Sequence, residues 1–283
     1  EIPAGLQKNL REKIFEDFKN LFEEKSIRSK KNFSFSTPNR LVLVFEGLDK
    51  QIKIKSKEIR GPKTSAPEQA LEGFLRSNKI DKKDLFKKKT EKDEFYFYKT
   101  VATSLKTHDL LTEFIPKILS NYQWKKSMKW GEFDLNWGRP LKSILSIFDK
   151  KIVSFKFHHL ASSNLTFLDK DFEEKKRSFE NFKKYEKFFE DNGVIVNQNK
   201  RLKIINKSFL KILGKKGLKI NENPKLMDEV VNLVDSPNVL LCKFDKKFLS
   251  VPKEILTLTM ESHQKYFPTF NEKNEITNEF LIV

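Results

Sequence analysis

Residues 259–270, TMESHQKYFPTF, crowd His, Gln, Lys, Tyr and Pro between aromatics close to the end of the chain. Imidazole titrates near physiological pH, so His263 within hydrogen-bonding distance of Glu261 or Ser262 could move protons. Lys265 and Tyr266 offer RNA a cation and a ring. The same residues also read as a helix end running into a strand, with His263 capping or bonding nearby, so acid/base chemistry, RNA or interface contact and a purely structural role all remain open.

Other chemistry is bounded by what the 283 residues contain. The four His, at 108, 158, 159 and 263, form no HExxH pair, and one cysteine, Cys242, allows neither an intramolecular disulfide nor a multi-thiolate zinc cluster. Cys242 lies in the apolar run VLLCKF and reads as a small buried residue. No GxxxxGK[ST] loop, GxGxxG turn or GxSxG elbow is present, and 9 Gly leave little material for phosphate cradles. Catalytic residues and a metal site are therefore assigned to no position, and no cofactor is expected on this chain. Carboxylates fall in charge runs such as DFEEKKRSFE, which read as solvated faces.

The 56 basic and 39 acidic residues give a net charge of +17, which favours a polyanionic partner. Only 8 of the basic residues are Arg, and Lys, Asn, Ile and Phe are all abundant, so much of the Lys excess follows coding bias. Arg that persists against such a bias marks places where a planar, multi-donor group matters. Arg40 in STPNRLVL, Arg60 in EIRGP and Arg139 in WGRPL each stand beside Pro or Gly. Each either bonds loop carbonyls or a carboxylate, or positions RNA phosphate.

The elements that must position these groups follow from periodicity. GLQKNLREKIFEDFKNLFEEK has helical apolar spacing, and FSFS, RLVLVFEGL and QIKIKSKEI alternate as strands, the last run ending at Arg60-Gly61-Pro62. PEQALEGFLRSN is a helix opened by Pro67, FYFYKTV a hairpin strand, and THDLLTEFIPKILSNY a Thr-capped helix that Pro116 kinks or divides. Two Trp-Gly pairs bracket a short strand, and two more strands join at residues 149–151. Residues 172–216 read as charged helix broken by the Asn192-Gly193 turn. KLMDEVVNLVDSP is a helix, NVLLCKF a buried strand, VPKEILTLTMES a helix, and KYFPTF with EFLIV a closing hairpin. The expectation is an α+β fold of helices and mostly antiparallel sheets in two parts, residues 1–121 and 122–283. The chain starts without Met and stops on FLIV, so it reads as cut at both ends, and no run approaches the roughly 20 apolar residues of a membrane span. A cytoplasmic protein is expected.

At MKWG, RPLKSILSIF, EVVNLVDSPNVLLCKFDKKFLSVPKEIL and TMESHQKYFPTF, supported by EIPAG, TPNRL and RGP, the sequence resembles the β subunit of bacterial tetrameric glycyl-tRNA synthetase. The resemblance runs from first residue to last, and it implies the N-terminal part of a longer subunit whose HD-like, linker and anticodon-binding regions lie elsewhere. It further implies a second part like the B3/B4 module of phenylalanyl-tRNA synthetase. The implied partners are the α subunit, which activates glycine with ATP and Mg, a second β subunit and glycine tRNA. The candidate contacts to tRNA or an interface are Arg40, Arg60, Lys129, Arg139, His263, Lys265 and Tyr266. After the strand ending near Leu160 the chain reads SSNLTFLDKDF where the family pattern leads one to expect Gly-His-Arg-Phe. A non-enzymatic RNA-binding module and a B3/B4-type aminoacyl-tRNA deacylase are the alternatives. Editing is weakly motivated, because glycine has no smaller amino-acid competitor for a second sieve to remove.

Overall fold

The computed structural model describes residues 1–54, 56–90, 93–170 and 173–283. Helix α1 (Ala4–Glu24) buries Leu10, Ile14, Phe18, Leu21 and Phe22 along one stripe, as its spacing predicts. It lies on the hairpin of β1 (Lys31–Thr37) and β2 (Arg40–Glu46), where Phe45 meets Phe22 edge to face at 4.9 Å. Then follow β3 (Gln51–Ile54), β4 (Glu58–Lys63), α2 (Glu68–Asn78), β5 (Leu85–Lys89), β6 (Glu94–Lys99), β7 (Thr103–Lys106) and α3 (Thr107–Asn121). Short strands come next: β8 (Ile144–Leu145), β9 (Ile147–Phe148), β10 (Lys151–Ile152), β11 (Lys156–Phe157) and β12 (Leu160–Ser163). The hairpin of β13 (Leu165–Lys170) and β14 (Glu173–Ser178) leads to α4 (Phe182–Asp191) and α5 (Gln198–Lys216). The chain closes with β15 (Lys219–Ile220), α6 (Pro224–Leu233), β16 (Leu240–Lys243), α7 (Lys253–Leu258), β17 (Phe267–Phe270) and β18 (Ile276–Ile282).

The α+β expectation holds. Every sheet among the described residues is small, and all strand pairs are antiparallel except β12 with β8. Among the described residues three apolar cores carry the packing. The first lies beneath α1 and takes in α3 together with Leu135, Trp137, Val153, Phe155 and Phe157, so it draws residues from both sides of Asn121. The second gathers Phe35 and Val44 with Tyr185 and Phe189 of α4. The third joins Ile205, Phe209 and Leu213 of α5 to α6, Phe267 and Leu281.

Several local expectations fail for identifiable reasons. QIKIKSKEI is two strands in different sheets, and Arg60-Gly61-Pro62 lies within β4, where the register shifts between Arg60 and Lys63 because Pro62 has no N–H to give the ladder. Thr107 is the first residue of α3 rather than its cap; its hydroxyl donates to the Asp49 carbonyl at 2.5 Å. That helix runs unbroken through Pro116. Residues 132–136, between the Trp-Gly pairs, form no strand; a single bridge joins Met128, before the first pair, to Trp137 of the second. Residues 173–178 are strand instead of helix, whereas the turn at Asn192-Gly193 and the two helices flanking it stand as read. β16 is an edge strand with Leu240 exposed and Cys242 half-buried, not a buried one, because only β18 covers its flank. The segment that departs from the family pattern forms parts of β12 and β13, and residues 171–172 lie outside the described residues.

Candidate nucleic-acid interface

The TMESHQKYFPTF segment is a helix end passing into a strand. After α7 the backbone widens into a π-turn over Thr259–Gln264, and Lys265 ends it in the left-handed region at φ 59°. Lys265 Nζ pairs with Glu229 at 2.9 Å and donates to the Ser262 carbonyl at 3.0 Å, which ties the turn to α6. The Tyr266 ring stacks on Phe280 at 4.9 Å. His263 points to solvent, and no hydrogen bond or ion pair among the described residues orients it. Glu261 is engaged elsewhere, accepting from Asn223 Nδ2 at 2.7 Å. A general base needs an orienting partner and a pocket; the open 390 Å³ hollow beside the turn is lined by Glu254, Thr257 and Glu261, without His263.

The sequence-picked Arg residues fall in different settings. Arg40 opens β2 after the tight Pro38-Asn39 turn; it donates through Nη2 to the Phe167 carbonyl at 2.7 Å and lies 4.3 Å over the Phe189 ring. Next to it, Tyr185 is almost fully buried, and burial pushes its hydroxyl up to about 12. Arg139 is half-buried and donates to the Gly138 carbonyl at 2.7 Å. Gly138 is required there: a Cβ would sit 2.1 Å from the Trp124 ring, itself edge-on to Trp137 at 4.8 Å. Lys129 is exposed in the same loop, 3.8 Å from Asp134. Arg60 is on the distant β4–β6–β5 sheet, with its guanidinium 3.5 Å over the Phe95 ring. The chain therefore brings Lys265 and Tyr266 together around the β17 end of one sheet, while Arg40, Arg60 and Arg139 serve three separate places.

Sequence reasoning missed Arg201. It is fully buried in α5 and donates through Nε to the Val231 carbonyl at 2.9 Å, through Nη1 to Ile195 at 2.6 Å and Val196 at 3.1 Å, and through Nη2 to Ser36 at 2.8 Å. Burial lowers its pKa to about 10, still a cation at neutral pH. Gln7 of α1 donates to the Asn232 carbonyl at 2.7 Å, so two side chains from other helices satisfy the last carbonyls of α6. A signal was present, since Arg201 opens the stripe Arg201, Ile205, Phe209, Leu213 at four-residue spacing. Among the described residues no group of three or more His, Cys, Asp or Glu could hold a metal ion, and no helix is long and apolar enough to cross a membrane.

Comparison with known proteins gives these arrangements a setting. The glycine–tRNA ligase beta subunit of Rickettsia bellii is 37% identical over 283 residues, which cover 100% of this chain and 43% of that protein. Those of Rickettsia felis and Rickettsia akari are 35% and 34% identical, again over the whole chain and 43% of each relative. The chain thus spans less than half the length of the relatives it matches. The family model described as "Glycyl-tRNA synthetase beta subunit" matches residues 1–283, and the chain belongs to that family.

Proposed function

We propose that this chain acts as part of the β subunit of a glycine–tRNA ligase, supporting tRNA binding and assembly with a catalytic α subunit. The observation that carries this reading is the match of the beta-subunit family model over residues 1–283. The charge fits it, since a net of +17 suits a polyanion. In this reading ATP and Mg belong to the α subunit, two α and two β chains form the working tetramer in the cytoplasm, and the second half of this chain corresponds to a B3/B4-like module. The solvent-facing, unoriented His263 favours contact over a deacylase, as does the absence of a smaller competitor for glycine.

The test is glycine-dependent pyrophosphate exchange, tRNA charging and tRNA binding, each with the chain alone and with an α subunit of the family. The chain alone is expected to bind tRNA, to catalyse no exchange and to charge nothing, and to be captured by the α subunit. Exchange by the purified chain would overturn the assignment of chemistry to α, and loss of both tRNA binding and α capture would overturn the reading as a whole.

A further inference from the structure

The sheet of β4, β6 and β5 stands outside all three cores and carries an arrangement none of them explains. Residues 50–106, from which it projects, hold sixteen basic and eight acidic side chains, so a fifth of the chain supplies eight of its seventeen net positive charges. Directly opposed residues of an antiparallel sheet share a face. The register sets Arg60 opposite Phe97 and Phe97 opposite Phe86, one row across three strands, with Lys63, Phe95 and Lys88 forming the next row on the same face. Gly61, of the other parity, lies against α2, where a Cβ on it would come 3.0 Å from the Phe74 ring.

On the Arg60 face cations and rings alternate; Phe95 is buried beneath Arg60, Phe97 is half-buried, and Arg60, Lys63, Phe86 and Lys88 are exposed. The Arg60 guanidinium carbon lies 3.5 Å from the centre of the Phe95 ring, and no hydrogen bond or ion pair among the described residues uses its donors. The ring contact holds the guanidinium in place on one side, leaving its remaining donors for phosphate oxygens and its exposed side for a base. Phe86 is 37% exposed and stacks on Phe97 at 6.0 Å and 27°. Lys88 sits 5.6 Å over Phe97 and Lys63 5.9 Å over Phe95, each also paired at the rim, with Glu58 at 2.9 Å and Asp93 at 2.7 Å. Phosphates could replace those exposed carboxylates at small cost.

We propose that the Arg60–Phe97–Phe86 face binds an unpaired stretch of RNA, the rings and the Arg60 plane stacking bases while Lys63 and Lys88 meet the backbone. Charge decides the occupant. Rings interleaved with three cations complement a polyanion with π-faces, the combination by which aromatic-bearing sheets hold single strands, whereas the cores of protein interfaces are depleted in lysine, of which this face carries Lys63 and Lys88. The choice of RNA rests on the function proposed above.

The test uses the full chain, with anisotropy of a labelled short oligouridylate and of labelled tRNA measured against salt. Phe86→Leu keeps apolar bulk but removes the π-face, and is expected to weaken oligouridylate binding roughly tenfold, the effect of one lost stacking contact, while Phe86→Trp retains binding. Arg60→Gln should also weaken binding and lower the salt slope by a little under one. The proposal is overturned if Phe86→Leu binds oligouridylate as the parent does. It is equally overturned if both substitutions spare RNA and instead abolish capture by the α subunit, which would make the face a protein interface. tRNA binding with no oligouridylate binding would sink this inference and leave the proposed function standing; Phe86-dependent oligouridylate binding without tRNA binding or α capture would do the reverse.

Discussion

Arg201 Nη2 donates to the carbonyl of Ser36 at 2.8 Å, linking α5 to β1 across 165 residues of sequence. Its other donors end on Val231, Ile195 and Val196, so one desolvated guanidinium fastens the edges of the second and third cores. Replacing it with Met leaves four carbonyl contacts without donors in a dry site. Arg201→Met is expected to destabilise the fold by about 3 kcal/mol or more, and Arg201→Lys, which cannot reproduce the fork, by nearly as much. Urea unfolding midpoints read this directly, and an unchanged midpoint for Arg201→Met would refute the central role of the contact.

Glu279 is nearly buried in β18, with Lys216 and Lys243 each at 3.1 Å. Burial pushes its carboxyl up, but the two ammonium groups together outweigh burial and hold it below the usual carboxylate range. A depressed folded-state pKa contributes stability that is present above the unfolded value and lost as pH falls through the folded one. The stability gap between the parent and Glu279→Gln should therefore be widest near neutrality and shrink as pH falls below about 4. A gap that is flat across an acid titration of unfolding would show that the two lysines do not act through this charge.

Gly138 makes room for the Trp124 indole, so Gly138→Ala forces the ring off Trp137. The expected cost is about 1–3 kcal/mol, accompanied by a red shift of tryptophan emission as Trp124 loosens. Retained emission and an unchanged Tm would mean the loop absorbs a methyl group freely.

What the sequence disclosed divides along physical lines. Period and punctuation revealed α1, α2, α6 and the β17–β18 hairpin, and Asp149 and Lys150 take the positive φ values, 48° and 64°, of the tight turn read between β9 and β10. The loop around the Trp-Gly pairs was misread because its aromatics pack by side-chain stacking and by close approach at Gly138, which leaves no periodic trace. β14 was misread because in EEKKRS charge dominates and no apolar alternation marks a strand. At the candidate contacts the sequence picked Arg residues beside Pro and Gly and passed over Arg11 and Arg201, the two that are buried, since they sit inside helices whose stripes otherwise read as plain core.

Arg40 should behave as structure and Arg60 as surface. Arg40→Lys loses the bond to the Phe167 carbonyl and the stack on Phe189, and about 1–2 kcal/mol of stability is expected to go with them. Arg60→Lys on the open sheet should shift the unfolding midpoint by less than the change at Arg40. Equal shifts at both positions would erase the distinction drawn from their surroundings.

The two neighbours His263 and Tyr266 separate contact from scaffolding most cleanly. His263 is exposed and unoriented, so His263→Ala should change stability by no more than about 0.5 kcal/mol, and any loss of tRNA affinity then reports a contact made by the imidazole itself. Tyr266 is half-buried with its ring on Phe280, so Tyr266→Ala should cost about 1–3 kcal/mol through the removed packing, while Tyr266→Phe restores it. Both variants are to be compared with the parent in hydrolysis of correctly charged and mischarged glycine tRNA, where no activity is expected from any of the three. A parent activity that vanishes in His263→Ala with folding and tRNA binding intact would reverse the assignment, because a water-activating His is worth about a hundredfold or more in rate and a contact residue nothing.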